Sequence, residues 1–152
     1  LDPPKIFMSI EINTSTQEEP LRTITQGVAL VIFRNKGELL LQLRDSNTKI
    51  FPNFWSLPTG ALDHPQELIL DAAKRELIEE TGLEIELRFI LAEVYNHPTL
   101  GTAIRYLFMG KCQLDSNILC NEGHDMQFVN IKRLPGNFVP HHLSIIRSLL
   151  KS

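Results

Sequence analysis

Between Thr23 and Arg44 the chain carries two apolar, β-branched runs, Gly27-Val28-Ala29-Leu30-Val31-Ile32-Phe33 and Glu38-Leu39-Leu40-Leu41-Gln42-Leu43-Arg44. The turn Asn35-Lys36-Gly37 joins them, which predicts a β-hairpin. Asp45 to Pro58 reads as a loop, broken by Pro52, Asn53 and Pro58 around the apolar pair Phe54-Trp55. Gln66 to Thr81 has helical spacing and is stopped by Gly82. Two strands follow, Glu84 to Tyr95 and Thr102 to Gln113, separated by Asn96-His97-Pro98. A polar loop from Asp115 to Asp125 leads to a short strand, Met126 to Ile131. A last helix starts near Pro140 with Leu143, Ile146, Leu149 and Leu150 as its apolar stripe. Strands on either side of one central helix, closed by a terminal helix, predict an α/β fold: a helix/mixed β-sheet/helix sandwich. Ahead of it, residues 1–20 form an arm whose Ile6 to Ile12 run suits a strand, docked either on its own domain or on a second subunit of a homodimer.

The central helix is the unusual element. Taking Leu68 as zero and about 100° per residue, Leu68, Ala72, Ile69, Ala73, Leu77 and Leu70 fall within an arc from about 0° to 200°. Lys74, Glu67, Asp71 and Arg75 lie opposite, between about 240° and 340°. Glu79, Glu76 and Glu80 fall at about 20°, 80° and 120°, inside the apolar arc. Like charges at these i, i+3 and i+4 spacings repel one another, and burying them is costly. Divalent cations set against the face would remove both penalties. Mg²⁺ suits the donors, since it takes carboxylate oxygens, keeps several waters and bridges to phosphates. A partly solvated helix end is the alternative that spacing alone leaves open.

These residues also match a family signature. Gly60, Glu67, Arg75-Glu76-Leu77, Glu79-Glu80 and Gly82-Leu83 stand in an order and spacing that closely resembles the Nudix box of the Nudix hydrolases. The family pattern is glycine, five residues, Glu, seven residues, Arg-Glu-aliphatic, one residue, Glu-Glu, one residue, Gly-aliphatic. Two departures lie before the helix: the Gly60 to Glu67 loop is one residue longer, and Pro58-Thr59-Gly60 replaces the commoner Pro-Gly-Gly. The resemblance implies a Nudix-like sandwich over residues 21–152. It also implies that Glu76, Glu79, Glu80 and the Gly60 carbonyl hold Mg²⁺, for which Mn²⁺ can substitute, and that Arg75 fixes the carboxylates. Members of the family cleave a diphosphate linkage by water attack on phosphorus. The general base is Glu79 or, in the loop Asn121 to Asp125, Glu122, whose other reading is a solvated turn residue.

Arg44 and Arg105 are the expected phosphate partners. Trp55 is the candidate for stacking on a nucleobase, although aromatic residues beside a strand more commonly pack in a core. His141 and His142 are expected on the surface at the start of the last helix. The expected activity is Mg²⁺-dependent hydrolysis of a nucleoside diphosphate joined to another group, with nucleoside triphosphates (oxidised ones included) and ADP-ribose-like molecules as the leading substrates. The alternative is a non-catalytic Nudix-like domain that senses a nucleotide. Removal of mRNA caps is disfavoured by the short chain.

Composition narrows the partners. The 152 residues carry 15 Lys+Arg against 18 Asp+Glu, a formal net charge of −3, with none of the basic surplus of a nucleic-acid groove. Two cysteines, Cys112 and Cys120, are too few for a disulfide scaffold and suit partly buried thiols. No apolar run approaches the length of a membrane span, and the opening lacks a signal peptide's apolar segment. A cytoplasmic protein acting on a small phosphorylated nucleotide, with neither nucleic acid nor membrane as partner, is the expectation.

Overall fold

The computed structural model describes residues 24–35, 37–97, 99, 101–113, 118 and 125–151. The arm 1–20, Pro98, Cys120, Glu122 and His124 lie outside them. The elements are β1 (Thr25–Arg34), β2 (Glu38–Leu43), β3 (Trp55–Ser56), β4 (Thr59–Ala61), α1 (Ile69–Thr81), β5 (Arg88–His97), β6 (Gly101–Cys112), β7 (Asp125–Asn130) and α2 (Pro140–Leu150). The strands form a mixed sheet in the order β3-β2-β1-β6-β5, with β4 added to β1 and β7 to β2. Among the described strand pairs only β1 and β6 run parallel, in register from Thr25 with Ala103 to Arg34 with Cys112, and an isolated parallel bridge joins Trp55 to Phe138.

β1 reads as an unbroken apolar run because both of its faces are covered. Val28, Leu30 and Ile32 meet Leu40, Phe108 and the α1 residues Ala72, Ala73 and Leu77. Ala29 and Val31 face the other way, onto Leu57, Leu107, Phe138 and the α2 residues Ile145 and Ile146. One helix on each side of the sheet gives the expected sandwich. Cys112 is buried beside the first of these cores. Among the described residues, no helix is long and apolar enough to cross a membrane.

Three boundaries differ from the sequence reading. The hairpin pairs β1 with β2 only near its turn, at Phe33 with Leu39 and Arg34 with Glu38. Beyond that the strands part, and the three residues of β4 fill the gap by pairing Gly27 with Ala61 and Ala29 with Thr59. The helix begins at Ile69 rather than Gln66, because Leu68 is extended (φ −66°, ψ 136°) and Glu67 belongs to a turn closed on the His64 carbonyl. Its end is where glycine is required: Gly82 takes φ 76° and returns its N–H to Ile78 O at 2.8 Å. Finally, β5 starts at Arg88 instead of Glu84. Ile85, Leu87 and the Glu86 carbonyl close over Gly110 of β6, where a Cβ would lie within 3.0 Å of each, so this stretch packs as irregular chain.

Candidate active site

α1 presents Ala72, Ala73, Glu76, Leu77, Glu80 and Thr81 to the sheet. Two of the three expected carboxylates are therefore buried, Glu76 at 7% and Glu80 at 1% exposure. Glu79 is a correction to the helical wheel, since its side chain is 57% exposed. Leu68 caps the helix and is itself 69% exposed, so the buried arc starts later than the apolar residues suggest. Glu79 consequently stands on the rim, beside Glu76 and Glu80 rather than beneath the helix.

Arg75 organises this rim. Its Nη1 donates to Glu76 Oε1 and Glu79 Oε2, both at 3.1 Å, and its Nη2 donates to the Ala61 carbonyl at 2.9 Å. Nε and Nη2 donate to the two oxygens of Glu67 at 2.9 and 3.0 Å, and Asp63 pairs with Nε at 3.0 Å. One guanidinium thus ties the loop before the helix to the carboxylates on it, through charge-assisted bonds in a fixed fork. Together with a bond from the Asp63 N–H, it holds the Glu67 carboxyl down to about 2, from 4.5. A carboxylate depressed in the folded state contributes stability that is present above pH 4.5 and is lost as the pH falls towards 2. Urea midpoints measured across that window should fall more steeply for the native chain than for Glu67→Gln, whose profile lacks this component. Parallel profiles would remove Glu67 from the latch.

Gly60 completes the site from the sheet side. A Cβ on it would land on the Glu76 carboxylate, so only glycine lets that carboxylate lie against the β4 backbone. Gly27 on β1 faces Gly60 in the same way, since a Cβ there would stand 2.9 Å from the Gly60 carbonyl oxygen. Counted back from Glu67, the glycine of the family pattern falls on Ala61, an exposed residue without positive φ. A substitution at Ala61 therefore explains the spacing as well as a longer loop does.

The donors fit a hard divalent cation: all are oxygens, and two anionic ones are buried four residues apart on one face. Among the described residues, no three His, Cys, Asp or Glu side chains already converge as a ligand group. Arg75 holds Glu76 and Glu79 as its own partners. One or two carboxylates with waters and substrate oxygens is the usual provision for Mg²⁺, so a ready-made cage is not required.

Beside this site, on the α2 side of the sheet, a cleft of about 380 Å³ runs from Thr59 of β4 to the start of α2. Arg44 and Arg105 both line it, as do Phe51, Tyr95, His141 and His142. Trp55 does not: it pairs with Leu43 and packs against the core under α2, while Phe51 supplies the exposed ring. Phe51 sits in left-handed backbone (φ 47°), a costly conformation for a bulky residue and one that concentrates at functional loops. His142 also departs from expectation, being only 5% exposed. Its signal was legible, since 142, 145, 146 and 149 make an i, i+3, i+4, i+7 stripe. Arg105 stacks over the Tyr95 ring at 4.4 Å, donates to its hydroxyl at 2.9 Å and stands 3.6 Å from Glu93. A larger hollow, of about 580 Å³, lies along the outer side of α1 around Leu70, Lys74 and Ile78 and contains none of the three box carboxylates.

The NUDIX domain model matches residues 23–149. An uncharacterized Nudix hydrolase of Listeria innocua is 30% identical over 120 residues, covering 75% of this chain and 71% of that protein. The m7GpppN-mRNA hydrolase NUDT17 of Danio rerio is 37% identical over 83 residues, covering 55% of this chain and 27% of the relative. Among solved structures, the bifunctional NMN adenylyltransferase/ADP ribose pyrophosphatase of Francisella tularensis, complexed with AMP and a Mn ion, superposes with a TM-score of 0.65 at 24% identity. That match covers 88% of this chain and 43% of the Francisella protein. The buried Glu76 and Glu80, the arginine that binds Glu76 and the glycine beneath it thus stand in a chain that belongs to the Nudix hydrolase family, an enzyme of the pyrophosphohydrolase class.

Proposed function

We propose that this enzyme hydrolyses the diphosphate linkage of a nucleoside diphosphate joined to another group, with nucleoside triphosphates (oxidised ones included) and ADP-ribose-like molecules as its leading substrates. The observation that carries this reading is the burial of Glu76 and Glu80 on one face of α1, with Glu76 seated against Gly60. Carboxylate oxygens are the donors that a hard divalent cation takes. Glu76, Glu79, Glu80 and the Gly60 carbonyl are the groups that would hold Mg²⁺, or Mn²⁺ in its place. When bound, the ion neutralises phosphate oxygens and acidifies the attacking water.

The chain's own residues do the rest. Arg75 keeps Glu76 and Glu79 aimed from one side of the helix. Glu79, exposed at the rim, would accept the proton of an attacking water, with Glu122 as the other candidate. Thr59 lines the cleft and adjoins Gly60 in β4, so a diphosphate near the helix would extend into the cleft. There Arg44 and Arg105 offer positive charge to phosphates, and the rings of Phe51 and Tyr95 offer flat apolar surface.

A panel of nucleoside triphosphates, ADP-ribose and other nucleotide sugars, dinucleoside polyphosphates and capped RNA, each with Mg²⁺, tests the proposal. Release of a nucleoside phosphate from one class, abolished by EDTA and restored by Mg²⁺ or Mn²⁺, is the expected result. Tight nucleotide binding with no turnover in either metal would instead favour the sensor.

A further inference from the structure

His142 is held from one side and mismatched on the other. Its Nδ1 accepts the backbone N–H of Leu57 at 3.1 Å. Leu57 is fully buried and a backbone N–H can only donate, so Nδ1 carries no proton. Burial, with the charge of Arg105 next, then His141 and Arg44, holds the ring neutral by lowering His142 to about 3. A neutral imidazole has one proton, which must therefore sit on Nε2. Yet Nε2 stands 3.0 Å from Arg105 Nη1, which also only donates. Two donors face each other at the wall of the cleft, where His142 is buried. A buried donor without an acceptor costs free energy that an incoming oxygen would recover.

We propose that the Arg105/His142 corner is an oxyanion seat that receives a phosphoryl oxygen of the substrate, accepting from His142 Nε2–H and Arg105 Nη1 together. The inference rests on the reading of the cleft as the substrate site and adds to it a residue and a chemical class. Charge selects phosphoryl over a neutral carbonyl. Arg44 lines the same cleft, close enough to Arg105 that the two guanidiniums repel, and among the described residues it forms no ion pair. Glu93 offsets part of this, but it is shared between Arg105 and His141. The first turn of α2, which carries both histidines, adds the positive end of its dipole. The imidazole is pinned by Leu57, whereas Arg105 sits on a flexible stem, so Arg105 is the group that gives way when the oxygen enters.

The test uses inorganic phosphate as probe on the full chain, labelled with ¹⁵N at histidine and kept in EDTA. A saturable shift of the His142 Nε2–H resonance is expected. Phosphate affinity read from that shift should fall about 10-fold or more in Arg105→Met and recover partly in Arg105→Lys. No saturable shift at millimolar phosphate, or an undiminished one in Arg105→Met, overturns the seat. Because the titration contains no metal and reads no turnover, its failure is distinct from failure of the hydrolase reading. Hydrolysis without phosphate at His142 would sink the seat alone, and phosphate at His142 without hydrolysis would sink the other.

Discussion

Glu80→Gln is expected to lower Mg²⁺-dependent turnover about 1,000-fold or more, the scale at which a directly placed charge contributes to phosphate chemistry. The same change should alter the stability of the metal-free protein by much less than it alters turnover. Glu80 is 1% exposed, and the isosteric amide keeps the volume packed around it. A residue retained for packing would behave otherwise, with no effect on turnover and the stability change as the only consequence. Steady-state kinetics with Mg²⁺, beside urea denaturation in EDTA, read the two quantities separately. Turnover near the native value would remove Glu80 from the site.

The second large effect is expected at Gly60. A methyl group there collides with the Glu76 carboxylate, while the register of β4 with β1, Val28 opposite Gly60, fixes the backbone that carries it. Glu76 must therefore move. Gly60→Ala should cost about 1–3 kcal/mol of stability, as overpacking does. It should also lower turnover about 100-fold, because displacement of a positioned group by an ångström has that consequence. In a Glu76→Ala background the stability cost should largely vanish, which a double-mutant cycle measures. A full cost in both backgrounds would show that the collision is with something other than Glu76.

Much of this site was legible in the chain. The acidic residues at 76, 79 and 80 stood in an apolar arc, and Gly82 marked the helix end. Local pattern failed where a distant partner decides the outcome. Glu67 lies in the stretch whose spacing predicts helix, yet Arg75, eight residues on, binds its side chain in the turn before the helix. The three residues of β4 are a strand only because β2 leaves β1 early. Ile85 and Leu87 are β-formers, but the bare backbone at Gly110 gives them a better place to pack than a ladder would. The cleft brings together the 44–54 loop, β4, β5, β6 and α2, so no window of sequence contains it. His142 looked like half of an exposed pair. Adjacent helical positions point about 100° apart, so one histidine turns inward while the other, His141, meets Glu93 at 3.0 Å in the cleft mouth.

The parallel pairing of β1 with β6 also governs when the enzyme can come into being. Every partner of β1 on that side, from Ala103 to Cys112, is synthesised long after β1 itself. A growing chain that has released only the first hairpin and α1 carries an open apolar strand edge, the kind of surface on which nascent chains aggregate. Loop closure across that distance must precede any gain from the contacts, which makes the central pairing a slow event in folding. Gly27 and Gly60 lie at the β1–β4 contact beside it, so the backbone of the candidate site is assembled on a part of the sheet that must wait for a neighbour from the later half of the chain.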